Sequence, residues 1–518
     1  MKKNNFINSK GISVIFLVIA MLLMVVIGYV FSYLIPTKER SVVFPIQSTQ
    51  AFFLAQSGVE FAVRIAKDNN LTTTAALNNL NNAAYNARTL GSGRFTLTYA
   101  IANDTLTSIG EVPTGTQRRQ INVSNFTSFL YYFTYRKQIT VNTGAVNGTL
   151  TNFPMLVSMT DPNLQALPTG AANGGHIAAY NGTTNDPQDL VFEALDDTTC
   201  GGAGNAPCKL AHEIEAYSAS NGNLVAWVRV PSITSASPNN TVIYMYYGNS
   251  CMITSAQNAT AVWDANYKGV WHLSQNPTGT APQMKDSTAD GYNGTAVGSF
   301  VAGDQQAAVI NGGLNFNGTN DEIQIAAANL GATSVTVSAW LRVKSFNETT
   351  FSGTAANNGA VIFSTRNVDT NVSPTLLVSP VSGGAGAQNG LVFCNDTANV
   401  AMGAKGAANI AFNTWYYAVG TFSYTGVGNF AGNWNVYLNG AQNNAAVNNF
   451  NYAGAANAIF SGATWRLGNN AQWPNYSNII LDEVRVSNIA RSAGWIATEY
   501  LNQSAPNSFY TVGPEQNN

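Results

Sequence analysis

Charge is scarce in this chain: Lys, Arg, Asp and Glu make up 10% of its 518 residues, against about 25% in ordinary soluble domains. Gly, Ala, Asn and Thr fill the space instead, giving the neutral, turn-rich surface of short-stranded β structure. A formal net charge of −2 leaves no basic field with which to hold a nucleic acid. The three histidines, His176, His212 and His272, are scattered, so no Ser-His-Asp arrangement can be read, and His212 alone does not supply a zinc site. The cysteines are Cys200, Cys208, Cys251 and Cys394. Cys200 and Cys208 flank a Gly- and Pro-containing loop that is able to close a disulfide, whereas nothing in the sequence requires a bridge between Cys251 and Cys394. An Ala-x-Ala-like cleavage site after the first apolar stretch is also missing, so the N-terminus is not an ordinary secretory signal.

That stretch runs from Ile12 to Ile35 without a formal charge, long enough to span a bilayer as a helix. The leader ahead of it carries Lys2, Lys3 and Lys10, which keep the N-terminus cytoplasmic by the positive-inside rule. A signal anchor needs no more than this. Beyond the breaks at Pro36 and Pro45, Phe52, Ala55, Val59, Ala62 and Ala66 recur at three- and four-residue spacings and predict one apolar helix face. The length of the chain predicts several domains.

The junction Lys10-Gly11-Ile12-Ser13 resembles a type IV prepilin processing site, and Gln50-Ala-Phe-Phe-Leu-Ala-Gln-Ser-Gly-Val-Glu-Phe-Ala resembles the helix segment of minor pilins and pseudopilins. The resemblance implies that a prepilin peptidase cuts after Gly11, that Ile12 becomes the methylated first residue, and that the helix holds the protein in the inner membrane before packing against other pilin subunits. Phe16 stands where pilins usually carry Glu at the fifth mature position, which implies a minor subunit at a filament tip. Phe95-Thr-Leu-Thr-Tyr, Thr105-Leu-Thr-Ser-Ile and Arg119-Gln-Ile-Asn-Val alternate as three short strands. The expected fold is therefore α+β at the N-terminus, a leader over 1–11 and a pilin module over 12–128 with a long apolar helix and a small antiparallel sheet, followed by all-β sandwich and jelly-roll domains.

From Phe133 to Asn249 a run of strands includes His212-Glu-Ile-Glu-Ala-Tyr and Leu224-Val-Ala-Trp-Val-Arg-Val-Pro. It resembles, over 130–250, an uncharacterised β-sandwich domain that often precedes a laminin-G-like domain. Residues 262–515 resemble a concanavalin A-like, laminin-G-type jelly roll, through Val270-Trp-His-Leu, Asp286-Ser-Thr-Ala-Asp-Gly-Tyr-Asn-Gly-Thr, Val335-Thr-Val-Ser-Ala-Trp-Leu-Arg-Val, Val436-Tyr-Leu-Asn-Gly and Leu481-Asp-Glu-Val-Arg-Val. Val335, Val337, Ala339, Leu341 and Val343 alternate strictly, and Asn439-Gly440 is a two-residue hairpin signal.

Glycosidases of this fold need two carboxylates at alternating strand positions. Glu213 and Glu215 have that spacing, but they fall outside the jelly roll and lack the third acidic residue of the family pattern. Asp482 and Glu483 are adjacent, which a regular strand turns to opposite faces. No catalytic residue is assigned. No cofactor is required; the resemblance raises calcium, with Asn320, Asp321 and Asp482 as candidate ligands, and turn chemistry is the competing role for such Asx residues. Trp473, Tyr476 and Asn469, in a Gly/Asn-rich loop region, are candidates for a sugar-stacking platform, with core packing as the alternative. The expectation is a non-enzymatic minor pilin similar to tip components of the mannose-sensitive haemagglutinin type of pilus. It would display a lectin-like head outside the cell for carbohydrate or cell-surface ligands. A membrane-anchored glycan hydrolase and a major subunit of a decorated filament are the rival readings.

Overall fold

The computed structural model describes residues 19, 21–25, 46–66, 69, 71, 74–112, 117–124, 126, 133–167, 175–195, 200, 208–236, 241–249, 252, 255–326, 334–346, 359–365, 374–379, 389–397, 400–424, 432–448, 464–470 and 475–518. Two compact units divide the chain, Met1–Tyr132 and Phe133–Asn518.

In the N-terminal unit residues 46–66 are helical. The strands Ala87–Leu90, Gly93–Ala100, Thr105–Glu111 and Arg118–Ser124 follow as an antiparallel meander in sequence order. Phe95, Leu97 and Tyr99 alternate inward along the second strand and share a core with Val59, Ala62 and Ala66 of the helix. The first strand is exposed along its length and so carries no alternation, the reason it escapes a reading by period. Small residues set the distance between helix and sheet. Ala51, Ala55 and Ala62 are fully buried, and a Cβ on Gly110 would stand 2.0 Å from the Ala51 carbonyl oxygen. Phe52, expected on the buried face, is 47% exposed, and Ala51 lies buried in its place.

The expectation of an α+β pilin module built on a long apolar helix is corrected. The described chain is mostly β-sandwich, and among the described residues no helix is long and apolar enough to cross a membrane. The helical residues 46–66 include Gln47, Gln50, Gln56, Glu60 and Arg64, so the segment is amphipathic and lays one face on the meander. Within 12–35, residues 19 and 21–25 are described, and they are helical and exposed; Gly11, Ile12, Phe16 and the rest of that stretch lie outside the described residues.

Two sandwiches make up the second unit. In the first, a sheet ordered Cys208–Leu210, Val191–Ala194, Val242–Tyr247, Tyr135–Val141 and Tyr510–Val512 faces a three-stranded sheet of His212–Ser218, Asn223–Thr234 and Thr149–Thr160. Ile139, Val141, Ile243 and Met245 from one sheet and Met155, Val157, Ala226 and Val228 from the other fill the space between them. The second sandwich is a jelly roll of two eight-stranded sheets. Val335, Val337, Ala339, Leu341 and Val343 line its core opposite Ile362, Leu376, Val378 and Leu391. Asn439 and Gly440 both take positive φ, 50° and 79°, the geometry that a two-residue hairpin turn demands.

The C-terminal segment laces the two sandwiches together. Its helix, Ala493–Ser504, is capped by the Ser492 hydroxyl, which accepts the Trp495 N–H at 3.1 Å. Gln503 accepts the Trp340 indole N–H of the jelly roll at 2.7 Å. On the other side, the Asn502 carboxamide pairs with the Leu156 N–H and C=O at 2.7 and 3.0 Å, and the Tyr510 hydroxyl does the same at Ser158. These side chains occupy the open edge of the Thr149–Thr160 strand, where unpaired backbone groups are a liability. The chain then adds Tyr510–Val512 to the first sandwich, against Ile139–Val141.

Gly110→Ala is expected to destabilise the N-terminal unit by about 1–3 kcal/mol, because the added methyl meets backbone rather than a movable side chain. Limited proteolysis with peptide mapping checks this: cleavage within 46–124 should accelerate while that in the second unit stays unchanged.

Candidate functional site

Chemistry concentrates at the seam between the two sandwiches. From the first sandwich come Glu213 and Glu215, at alternate positions of the His212–Ser218 strand and so on one side of it. From the second come His272, just past the Tyr267–Trp271 strand, and Glu483 and Arg485 on Asn478–Ser487. The C-terminal helix adds Glu499. His272 Nδ1 lies 2.6 Å from Glu483 Oε1 and 3.5 Å from Glu215, and its Nε2 lies 3.4 Å from Glu213. Arg485 joins Glu483 at 2.7 Å to Glu499 at 2.5 Å, with its guanidinium 4.3 Å over the Trp227 ring and 4.8 Å over Trp263. Those two indoles donate to Glu215 and Glu213, each at 2.9 Å, and the Ser287 hydroxyl donates to Glu213 at 2.6 Å.

A local irregularity makes this possible. Trp340 pairs with Asp482 but Ser338 pairs with Arg485, so the Asn478–Ser487 strand carries a bulge at Glu483 and Val484, with Glu483 at φ 53°. A regular strand turns Asp482 and Glu483 to opposite faces; the bulge buries both, with Asp482 accepting the Ile310 N–H at 2.8 Å.

Burial opposes a charge on His272, but Glu483, Glu215 and Glu213 outweigh it and hold the imidazole well above 6.5. Glu215 is pushed up from 4.5 to about 8, chiefly by burial and then by Glu483 and Glu213, against the pull of His272 and the Trp227 indole. Burial and the Glu483 charge also raise Asp482 well above 3.8. Glu213 and Glu483 go the other way: burial raises them, and His272, joined at Glu483 by Arg485, brings both below 4.5. Glu215, His272 and Glu483 bring three potential metal-ligand atoms within 4.8 Å of one another. Each residue is already engaged, Glu483 by His272 and Arg485 and Glu215 by Trp227, which makes the group an ionic strut. His212, by contrast, is buried at the edge of Phe192 and is pushed down to about 4 by burial.

Beside this strut the seam opens into a cleft of about 470 Å³. Residues 149–152 and Arg229 of the first sandwich form one wall; residues 264–266, 489–492 and Trp495 form the other. Asp264 and Arg491 make a two-pronged ion pair at 2.9 and 3.0 Å, and the Arg491 guanidinium is held over the rings of Tyr267 and Trp495, 4.4 and 4.3 Å away.

The residues singled out in the sequence fall in several places. Cys200 and Cys208 are joined by a disulfide; Cys394 is buried on its strand and Cys251 is outside the described residues. Asp321 accepts the N–H groups of Ser299 and Asn317, and Asn320 accepts the Ser299 hydroxyl and the Asn317 amide, which is turn chemistry. Asp482 shares none of those partners. Asn469 is buried, donating to Glu322 and accepting from the Asn470 and Asn475 N–H groups. Tyr476 is half-buried, and Trp473 lies outside the described residues. Trp465 is in the core, edge-on to Trp271. Glu483 was weighed only as the neighbour of Asp482 and His272 only as one of three scattered histidines, and Arg485 and the cleft were not singled out. The quoted motifs contained all three residues, but nothing in one sequence pairs His272 with a carboxylate 211 residues away.

The second sandwich contains a concanavalin A-like domain: residues 317–497 match the family model of the concanavalin A-like lectin/glucanases superfamily. Residues 203–272 match a domain of unknown function, DUF2341. No match was found among curated proteins. Solved structures similar to the chain include domain 4 of AbnA, a GH43 extracellular arabinanase from Geobacillus stearothermophilus, in complex with arabinotriose. It is 16% identical with a TM-score of 0.32, the match covering 46% of this chain and 98% of that one. The binding domain of botulinum neurotoxin serotype G matches at 16% identity and a TM-score of 0.31, over 47% of this chain and 52% of its own, and that of serotype D/C at 14% and 0.31, over 46% and 53%. The chain thus spans about half the length of these two toxin domains.

The strut sets an alkaline limit to stability. Glu215 is raised in the fold, so the folded state keeps a proton that the unfolded chain releases, and stability falls as pH climbs from 4.5 through about 8. His272 is raised too; its contribution is full below 6.5 and is lost as pH rises through its folded value. Differential scanning fluorimetry is expected to show a Tm lower at pH 9 than at pH 6, by on the order of 5 °C. Glu215→Gln, which keeps an acceptor for Trp227 and removes the charge, should flatten that fall; an unchanged slope would contradict the assignment.

Proposed function

We propose that the protein is a carbohydrate-binding surface protein rather than a hydrolase. The superfamily matched over residues 317–497 covers both lectins and glucanases, and the observation that carries the binding reading is the enclosure of Glu213 and Glu215. Their spacing suits a glycosidase, but a general acid and its partner must flank an open glycosidic bond. Here both are occupied by indoles, Ser287 and His272 inside the seam, which supports binding without bond cleavage. Asn320, Asp321 and Asp482 have backbone or side-chain donors of their own, so the binding reading does not call on calcium.

The head is displayed outside the cell, a location that the Cys200–Cys208 disulfide supports. Processing between Gly11 and Ile12 and assembly as a minor subunit with pilin-like partners at a filament tip rest on Lys10-Gly11-Ile12-Ser13. Intact-mass and N-terminal peptide analysis of sheared filaments is expected to find an N-methylated Ile12 terminus at low stoichiometry; a Met1 terminus in the membrane fraction would remove the filament role and leave the binding head.

For the head, a glycan array with the purified protein is expected to give selective binding, and a reducing-end assay on the bound glycans no release of sugar. Release that Glu213→Gln abolishes would overturn the binding-only reading.

A further inference from the structure

The cleft between the sandwiches differs from the strut beside it in its balance of charge, since its cations outnumber its carboxylates. Two guanidinium groups line it, Arg229 and Arg491, against one carboxylate, Asp264. Asp264 is fully matched by Arg491. Arg229 donates to the Asn152 side chain at 3.2 Å and to the Ala261 carbonyl at 3.1 Å, and among the described residues it has no carboxylate partner and no bond at Nη2. The cleft thus carries one uncompensated positive charge, on a chain whose net charge is −2.

Hydroxyl-bonding groups surround that charge. Thr151 and Asn266 present side chains on opposite walls, and Asn152 is held at φ 55° with its amide nitrogen unengaged among the described residues. The Trp495 indole N–H is buried with no acceptor among the described residues, and Trp495 lines the cleft. The volume of about 470 Å³ lies within the usual range of ligand sites, about 300–1,000 Å³, which favour domain interfaces.

Resting on the carbohydrate reading above, we propose that this cleft binds an acidic saccharide, a sugar acid whose carboxylate pairs with Arg229 while Thr151, Asn152 and Asn266 bond its hydroxyls. Guanidinium meets carboxylate in a planar, two-pronged geometry that ammonium cannot reproduce. The rigid Asp264–Arg491 pair holds the far wall in place, so little ordering is required on binding.

Isothermal titration of the full-length protein with trigalacturonate, and with maltotriose as its neutral counterpart, tests this. Binding of trigalacturonate is expected to be at least tenfold tighter and to weaken as NaCl is raised. Arg229→Gln should lower the affinity for trigalacturonate at least tenfold, and Thr151→Ala, which removes no internal hydrogen bond seen among the described residues, several-fold at unchanged Tm; Tyr476→Ala should leave it unchanged. Tight trigalacturonate binding that neither cleft variant weakens would overturn the cleft and leave the carbohydrate reading standing. Preference for maltotriose would overturn the acidic class. Failure of both sugars, with a blank glycan array, would remove the carbohydrate reading itself.

Discussion

The second unit depends on charges placed where water cannot reach them. Glu213, Glu215, Glu483 and Glu499 converge on His272 and Arg485, and carboxylates removed from water are tolerated only when donors replace the lost hydration. Two indoles, a serine hydroxyl, an imidazole and a guanidinium supply them. Arg suits the central position because its weakly hydrated cation packs against both Trp227 and Trp263 while it bonds Glu483 and Glu499. Such a network contributes little net stability over an apolar seam of the same shape, and its larger effect is on geometry. The cluster draws on four separated stretches of chain, around 213–215, at 272, around 483–485 and at 499, and its donors meet its acceptors in a single docking of the two sandwiches.

Chain closure enforces the same docking from outside. The last strand of the first sandwich's sheet comes from the end of the chain, Tyr510–Val512 against Ile139–Val141, and the free edge of the facing sheet is covered by Asn502 and Tyr510. The two sandwiches are distinct in layer and core, yet the first is not complete within one continuous segment, since its sheet takes strands from beyond the second. Contacts across such separations form late, because loop closure must precede them. The unit 133–518 therefore behaves as one compact body even though the sequence reads as two consecutive domains.

What was legible in the sequence was local. Strict alternation from Val335 to Val343 and the Asn439-Gly440 turn depend on neighbours a few positions away, and the structure realises both. The long apolar helix expected for the N-terminal module was not realised among the described residues, and the buried helix face was misread by one position. Hydrophobicity placed Phe52 inward, whereas Ala51, whose backbone meets the sheet at Gly110, is the buried residue. The bulge at Glu483 was invisible for a different reason. Period-two reasoning assumes an unbroken strand, and one extra residue moves a side chain from one face to the other. The strut's members were nonetheless present in the motifs, in Val270-Trp-His-Leu, in Asp286-Ser-Thr and in Leu481-Asp-Glu-Val-Arg-Val. Each motif contributes one or two groups, and their common purpose exists only in three dimensions.

The sequence motifs that mark the domain type are therefore poor guides to its ligand. A side chain enclosed among protein partners is not placed to meet a sugar, which is why Glu213 and Glu215, enclosed in the seam, and Asn469, bonded within the jelly roll, recede as contacts once their partners are seen. Ligand chemistry belongs to groups with capacity remaining. Arg229, Asn152 and the Trp495 indole N–H meet that condition in one cleft, and none of them was conspicuous by type or spacing. Asp264 and Arg491 belong to both regions: they line the cleft, and their pairing, held over Tyr267 and Trp495, ties that wall to the same interface the strut fixes. The strut and the cleft share that seam and differ in charge balance: His272 and Arg485 are matched by carboxylates in the one, whereas Arg229 has no carboxylate partner among the described residues in the other.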